Sequence, residues 1–264
     1  MRIFKRLTIL FIVAVVSLML FYVVYMRPRH VVPILMYHAV STEKGDSLHV
    51  SPANFRKQIE FLHKANYSVI SLDDLVDGIN SGSKFPPKTV VITFDDGFED
   101  NFLHGFPVLS KYEMPATIFI ITGYMGNDAE KDYLNWEQVR VMSDNGIDIG
   151  AHTRNNVYLP GIKDYGDLKK EIVGSREDIK SALGIDAMYF CYPIGGFTTA
   201  VKYIVKEAGY KGACTTNRGW DRSNQDVYEL NRVKITNSDC VKPLHFRAKI
   251  SGYYNLFRSL KSGG

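Results

Sequence analysis

Cysteine is scarce here and does not pair by spacing. Three are present, Cys191, Cys214 and Cys240. An odd number with no CxxC argues against a disulfide framework or a cysteine-based zinc ribbon. Cys191 and Cys214 lie in apolar runs and read as buried thiols. Acidic residues are missing from positions 1 to 30, which hold five Lys/Arg. The whole chain carries +4, so the remainder nets −1 and a nucleic-acid footprint is not supported. No long single-sign run follows. Nor does a Gly-rich phosphate turn: the first predicted strand ends in MYHAV with no GxGxxG, which argues against an open doubly wound nucleotide fold.

What the first 30 residues do contain is apolar. Leu7 to Met26 is a run of 20 residues in which only Thr8 and Ser17 are polar. As a helix it reaches across roughly 30 Å of hydrocarbon. Arg2, Lys5 and Arg6 precede it, Tyr22 and Tyr25 sit where an aromatic belt forms, and Arg27 and Arg29 follow. A cleavable signal peptide is the rival reading, but its apolar region would be shorter and end in small residues rather than FYVVYM. The expectation is an uncleaved single-pass anchor in a cell membrane. Residues 1–30 form a cytoplasmic stub and span, and residues 31–264 an extracytoplasmic domain, since the positive flank is heavier before the span.

From residue 31 short β-branched runs alternate with amphipathic stretches. Predicted strands are 31–40, 67–71, 89–94, 115–122, 147–152, 187–193, 211–216 and 229–235. Predicted helices run from Ser51-Pro52 to Ala65, over 72–80, 99–112, 134–146, 164–183 and 198–208, with a terminal helix packing through Leu244, Ala248 and Ile250. About seven β-then-α units predict an α/β fold, a distorted (β/α)7-type barrel of the TIM-barrel kind, whose chemistry gathers at the carboxyl ends of the strands.

Those ends carry Tyr37-His38, Asp95-Asp96, His152, Tyr192 and Asn231-Arg232. Adjacent carboxylates at the end of an apolar strand are costly to keep ionised unless a cation or a proton lies between them. A carboxylate and an imidazole are ordinary ligands for a divalent ion such as Zn²⁺, and a second carboxylate beside it can take a proton from water.

The TFDDG of residues 93–97, the strand-end GAHT of 150–153, the opening VPILMYH, and the PATIFI and LNWEQVR segments together resemble the polysaccharide deacetylase family (carbohydrate esterase family 4), in its poly-N-acetylglucosamine deacetylase branch. The resemblance covers roughly residues 31 to 240. It implies a metal-dependent N-deacetylase acting on an N-acetylated glycan polymer, with Asp95 as general base and Asp96 and His152 as ligands of a divalent ion, Zn first and Co or Ni next. A backbone N–H at or near Tyr192 would help hold the oxyanion.

Three departures from that family stand out. The second motif ends in asparagine, so Asn156 takes the place of a histidine ligand; its amide oxygen is a poorer donor to a borderline-soft ion. The third motif, CYPIGG, lacks the arginine that partners the catalytic aspartate, and Arg232 on the last strand is the candidate replacement. The late histidine that supplies the acid has no clear counterpart. His245 is expected on the outer face of the terminal helix, and His38 is the alternative acid or orienting residue. Two further functions stay open: a glycan-binding homologue with impaired catalysis, and a hydrolase of O-acetyl esters or small amides on the same fold. Polymer identity, the metal and oligomeric state are not legible.

Overall fold

Alternation along the strands decides which side chains meet at the end of the barrel. The computed structural model describes residues 2–42, 48–126, 132–216, 223–241 and 243–254. Among these are eight parallel strands: β1 (Ile34–Tyr37), β2 (Ser68–Val69), β3 (Thr89–Phe94), β4 (Ala116–Ile120), β5 (Ile147–Ala151), β6 (Tyr189–Cys191), β7 (Gly212–Cys214) and β8 (Val233–Lys234). Seven form the path β7-β6-β5-β4-β3-β1-β8, and β2 pairs only with the first residues of β3. The last segment closes the ring by changing partners. The Val227 and Leu230 backbones bond to Ala213 and Thr215 beside β7, whereas Val233 and Ile235 lie against β1.

Because side chains alternate in direction, each strand divides its residues between two layers. Leu35, Val90, Ile92, Phe94, Ile118, Ile120, Ile149 and Phe190 belong to the outer core beneath the helices. Ile34, Val91, Phe119, Tyr189, Cys191 and Cys214 fill the barrel. Burial on both faces explains why β3 and β4 read as continuous apolar runs.

The surrounding helices are α2 (Pro52–Lys64), α3 (Leu72–Asn80), α4 (Phe106–Lys111), α5 (Trp136–Asp144), α6 (Tyr165–Leu183) and α7 (Thr199–Glu207), followed by α8 (Ser238–Val241) and α9 (Pro243–Lys249). Their caps follow the sequence: Ser51 accepts from the Asn54 N–H, Ser71 and Asp74 form a capping box, and Gly184 ends α6 at φ 77°. Two expectations are corrected. The 99–112 helix is a π turn, Asn101–Gly105, followed by α4; Pro107 has no N–H to continue an ordinary α ladder. In α9, Leu244 is 79% exposed and Ala248 is exposed too. Ile250, just past α9, is buried as expected, and Phe246 packs with it in place of the other two.

Ahead of the barrel, α1 (Arg2–Phe21) continues through a π turn, Tyr22–Met26, and a 3-10 turn, Arg27–Arg29. Residues Phe4–Arg29 form a helix long and apolar enough to cross a membrane, with none of its apolar window buried against the protein. A signal sequence has the same properties.

Candidate active site

The inward parity of β3 runs Val91, Thr93, Asp95, and that of β5 runs Asp148, Gly150, His152. On β6 it falls on Tyr189 and Cys191. The sheet therefore aims Asp95, His152 and Cys191 at one point, and all three are buried. Donor atoms of these three lie within 4.8 Å of one another. Gly150 leaves room for the Phe119 ring that fills the barrel below, since a Cβ there would lie 2.4 Å from it.

Arg232, fully buried, enters from the ring-closing segment and grips Asp95 with two bonds, Nη1 to Oδ1 and Nη2 to Oδ2, each 2.6 Å. Its other three N–H groups reach Thr93 Oγ1 at 3.1 Å, Cys191 Sγ at 3.1 Å and the Thr215 carbonyl at 3.1 Å. All five guanidinium donors are thus engaged, which a buried arginine requires. Burial alone would raise the Asp95 pKa, but the Arg232 charge and hydrogen bonds outweigh it and hold the carboxyl well below the usual range.

His152 donates from Nδ1 to the Cys191 carbonyl at 2.8 Å, which leaves Nε2 facing Asp96 Oδ1 at 3.4 Å. An imidazole lone pair and a carboxylate at that separation repel unless a proton or a cation lies between them. Burial opposes a proton on His152, yet Cys191 and Asp96 beside it raise its pKa. This donor set fits a divalent ion, with the second ring nitrogen fixed by a carbonyl as metal-bound histidines require. Cys191 is the weaker candidate ligand: burial pushes its thiol pKa up, and Sγ already accepts an Arg232 N–H.

The chain kinks sharply around these groups. Asp96 has φ 72°, Thr153 65°, Asn156 52° and Ile194 58°, all in the left-handed region that costs side-chain-bearing residues energy and clusters at functional sites. Gly97, at φ 77°, passes so close to β4 that a Cβ would stand 3.0 Å from Ile120 Cγ2.

His38, beyond β1, places Nε2 3.8 Å from Asp95 Oδ2. Its pKa is lowered, chiefly by burial, against the opposing pull of Asp95 and Asp96. Asn101 donates to the His38 carbonyl at 2.8 Å and Asp100 accepts the Val40 N–H at 2.9 Å, fixing that loop. The turn after β5 is held by α6: Glu171 accepts the Arg154 and Asn155 N–H groups at 3.0 Å each, and Asp178 pairs with the Arg154 guanidinium at 2.6 and 2.8 Å.

Two expected site residues differ from the buried cluster in their surroundings. The Tyr192 N–H donates to the Cys214 carbonyl at 3.0 Å, and its ring faces the outer core against Phe197. Sheet pairing has therefore engaged the Tyr192 N–H itself, which leaves the expected oxyanion donor to a neighbouring N–H. Asn156 is exposed at the end of the turn, unlike buried His152. His245 is bound to Asp239 at 2.8 Å, half-exposed on α9. Sequence reading missed Thr93, Cys191, Glu171, Asp178, Asp100 and Asn101 as supports. The period-2 parity would have found Thr93 and Cys191, but no local signal marks the acids of α6.

The description "polysaccharide deacetylase" matches residues 82–213. YxkH of Bacillus subtilis (strain 168), itself provisionally named a polysaccharide deacetylase, is 32% identical over 204 residues, covering 77% of this chain and 71% of its own. The poly-beta-1,6-N-acetyl-D-glucosamine N-deacetylase of Staphylococcus aureus (strain N315) is 25% identical over 211 residues, covering 76% and 72%. Among solved structures, the Streptococcus pyogenes deacetylase PplD in complex with acetate superposes with a TM-score of 0.75 at 25% identity, covering 83% of this chain and 97% of that one. IcaB from Ammonifex degensii gives 0.71 at 24% identity, covering 83% and 98%, a likeness of fold. The chain belongs to the polysaccharide deacetylase family and is a hydrolase by that membership.

Proposed function

From that membership we propose an N-deacetylase that removes acetyl groups from an N-acetylglucosamine-containing polysaccharide outside the cell membrane, with residues 31–264 as the catalytic domain and residues 7–26 as its anchor. The observation that carries the reading is the bidentate Arg232–Asp95 pair beside the His152–Asp96 pair. One carboxylate is held as a base while the other faces a ligand nitrogen. The S. aureus relative, named for poly-beta-1,6-N-acetyl-D-glucosamine, supports the substrate class.

A divalent ion held by Asp96 and His152 would polarise the acetyl carbonyl and acidify the attacking water. Asp95, ionised at every physiological pH, accepts the proton that water loses. Arg232 keeps it charged and fixes both oxygens, and it lowers the basicity as it does so. His38, with Nε2 3.8 Å from Asp95, is placed to take that proton from Asp95 and pass it to the departing amine as the C–N bond breaks. Asn156 is the remaining candidate ligand, and its side chain offers a neutral oxygen.

The test is acetate release from N-acetylglucosamine oligomers by the purified chain. Chelation should stop it and Zn²⁺, Co²⁺ or Ni²⁺ restore it. Asp95→Asn should lower it by about 10²- to 10⁴-fold, the range for losing a general base; undiminished turnover in that variant would overturn the mechanism. Exposed Asn156 favours one second reading, a glycan-binding homologue of impaired catalysis. It requires no acetate release with any of the three ions, and regained turnover in Asn156→His.

A further inference from the structure

A cavity among the described residues lies away from the active site. It holds about 750 Å³ at the opposite end of the barrel, between the exit of α1, the segment entering β1, the loop entering β3 and the residues after α9. Three of its lining residues are permanent cations, Arg27, Lys84 and Lys88, and none of the described lining residues is acidic. Its apolar wall includes Tyr22, Val23 and Phe85. Lys88 donates to the Ala65 carbonyl at 2.9 Å, so its ammonium is held in place by backbone.

The helix exit is fastened to this wall. The Val31 N–H donates to the Gly252 carbonyl at 3.1 Å, the His30 ring stands edge-on to Tyr253 at 5.5 Å, and a hydrogen bond to Tyr22 raises the Tyr253 pKa further than burial alone does. Tyr22 and Tyr25 mark the level where a span meets headgroups, and Arg27 follows one turn on. The cavity therefore opens at headgroup depth, with cations above and apolar surface beside the span.

We propose that this cavity seats the headgroup of an anionic phospholipid from the leaflet into which α1 runs. The phosphate meets Arg27, Lys84 and Lys88, and the first acyl carbons lie on Tyr22, Val23 and Phe85. The proposal rests on reading residues 7–26 as a membrane span. Charge complementarity and continuity with that span select a lipid over a soluble anion. Its effect is orientation: the base of the barrel is held on the bilayer, and the strand ends bearing Asp95 and His152 face away from it.

The full chain, reconstituted in nanodiscs, tests this by native mass spectrometry of the lipid it retains. Phosphatidylglycerol titrated into a phosphatidylcholine background should be retained selectively. Lys84→Gln/Lys88→Gln should weaken that retention roughly 30-fold, about fivefold per surface cation, with acetate release from soluble oligomers unchanged. Arg27→Gln alone should weaken it about fivefold, an independent reading should the double variant fold poorly. Equal retention of both lipids, retention insensitive to these substitutions, or displacement by millimolar inorganic phosphate as readily as by lipid would overturn the proposal. Release of the chain from membranes by alkaline carbonate would overturn the span itself, and that result is read separately from lipid selectivity.

Discussion

Arg232 has no water to fall back on. Its five donors are spent on Asp95, Thr93, Cys191 and Thr215 inside the barrel. Replacing it with methionine leaves the Asp95 charge buried without a partner, and breaking such a pair costs about 3–5 kcal/mol. Arg232→Met should therefore lower the melting temperature as well as abolish turnover. Arg232→Lys should recover little of either, because an ammonium cannot make the two-pronged contact. Thermal denaturation followed by circular dichroism separates these outcomes from a purely catalytic loss. Gly97→Ala should destabilise too, since it meets both a left-handed φ and the Ile120 side chain. At this scale the sequence was partly transparent. Asp95, Asp96 and His152 stand out because they end apolar strands, and the buried thiols were foreseen. Arg232 could be named only as a candidate, because its partner lies 137 positions away. Which N–H near Tyr192 is free was not legible, because a strand-end N–H is free only when the neighbouring strand stops short.

The turn that carries His152 depends on a helix that never touches the reacting atoms. Asp178 on α6 binds Arg154 and accepts the Thr122 hydroxyl at 2.7 Å, so it ties the loops after β4 and β5 together. Burial works to raise its pKa, but the hydrogen bonds from Arg154 and Thr122 prevail and lower it. A carboxylate lowered on folding adds stability that is complete above its unfolded value near 4. That stability is lost as pH falls through the lower folded value. Asp178→Asn should flatten this acidic part of the stability profile and lower kcat more than it raises KM. Urea melts between pH 2 and 7 with paired kinetics would show both. Helices with explicit caps, α3 and α6, were legible almost to the residue. The stretch after TFDDG was not, because Pro107 converts an amphipathic pattern into a π turn and a short helix.

As a whole, the molecule is a barrel joined to an unburied apolar helix. The barrel class was readable from seven alternating units. Its closure was not, because β8 is two residues long and the partner change depends on where the chain lies in space. Removing residues 1–29 takes away none of the two cores. The remaining chain should fold, keep its kcat on soluble oligomers and lose all partition into membranes, which sedimentation with vesicles measures. The ring-closing segment has a consequence of its own. The residue that neutralises Asp95 sits between the two handholds that lock the first strand to the seventh. On the proposed export of residues 31–264, a chain halted in a translocation channel before position 232 has emerged would carry Asp95 and His152 without the cation that Asp95 pairs with, and should be inert.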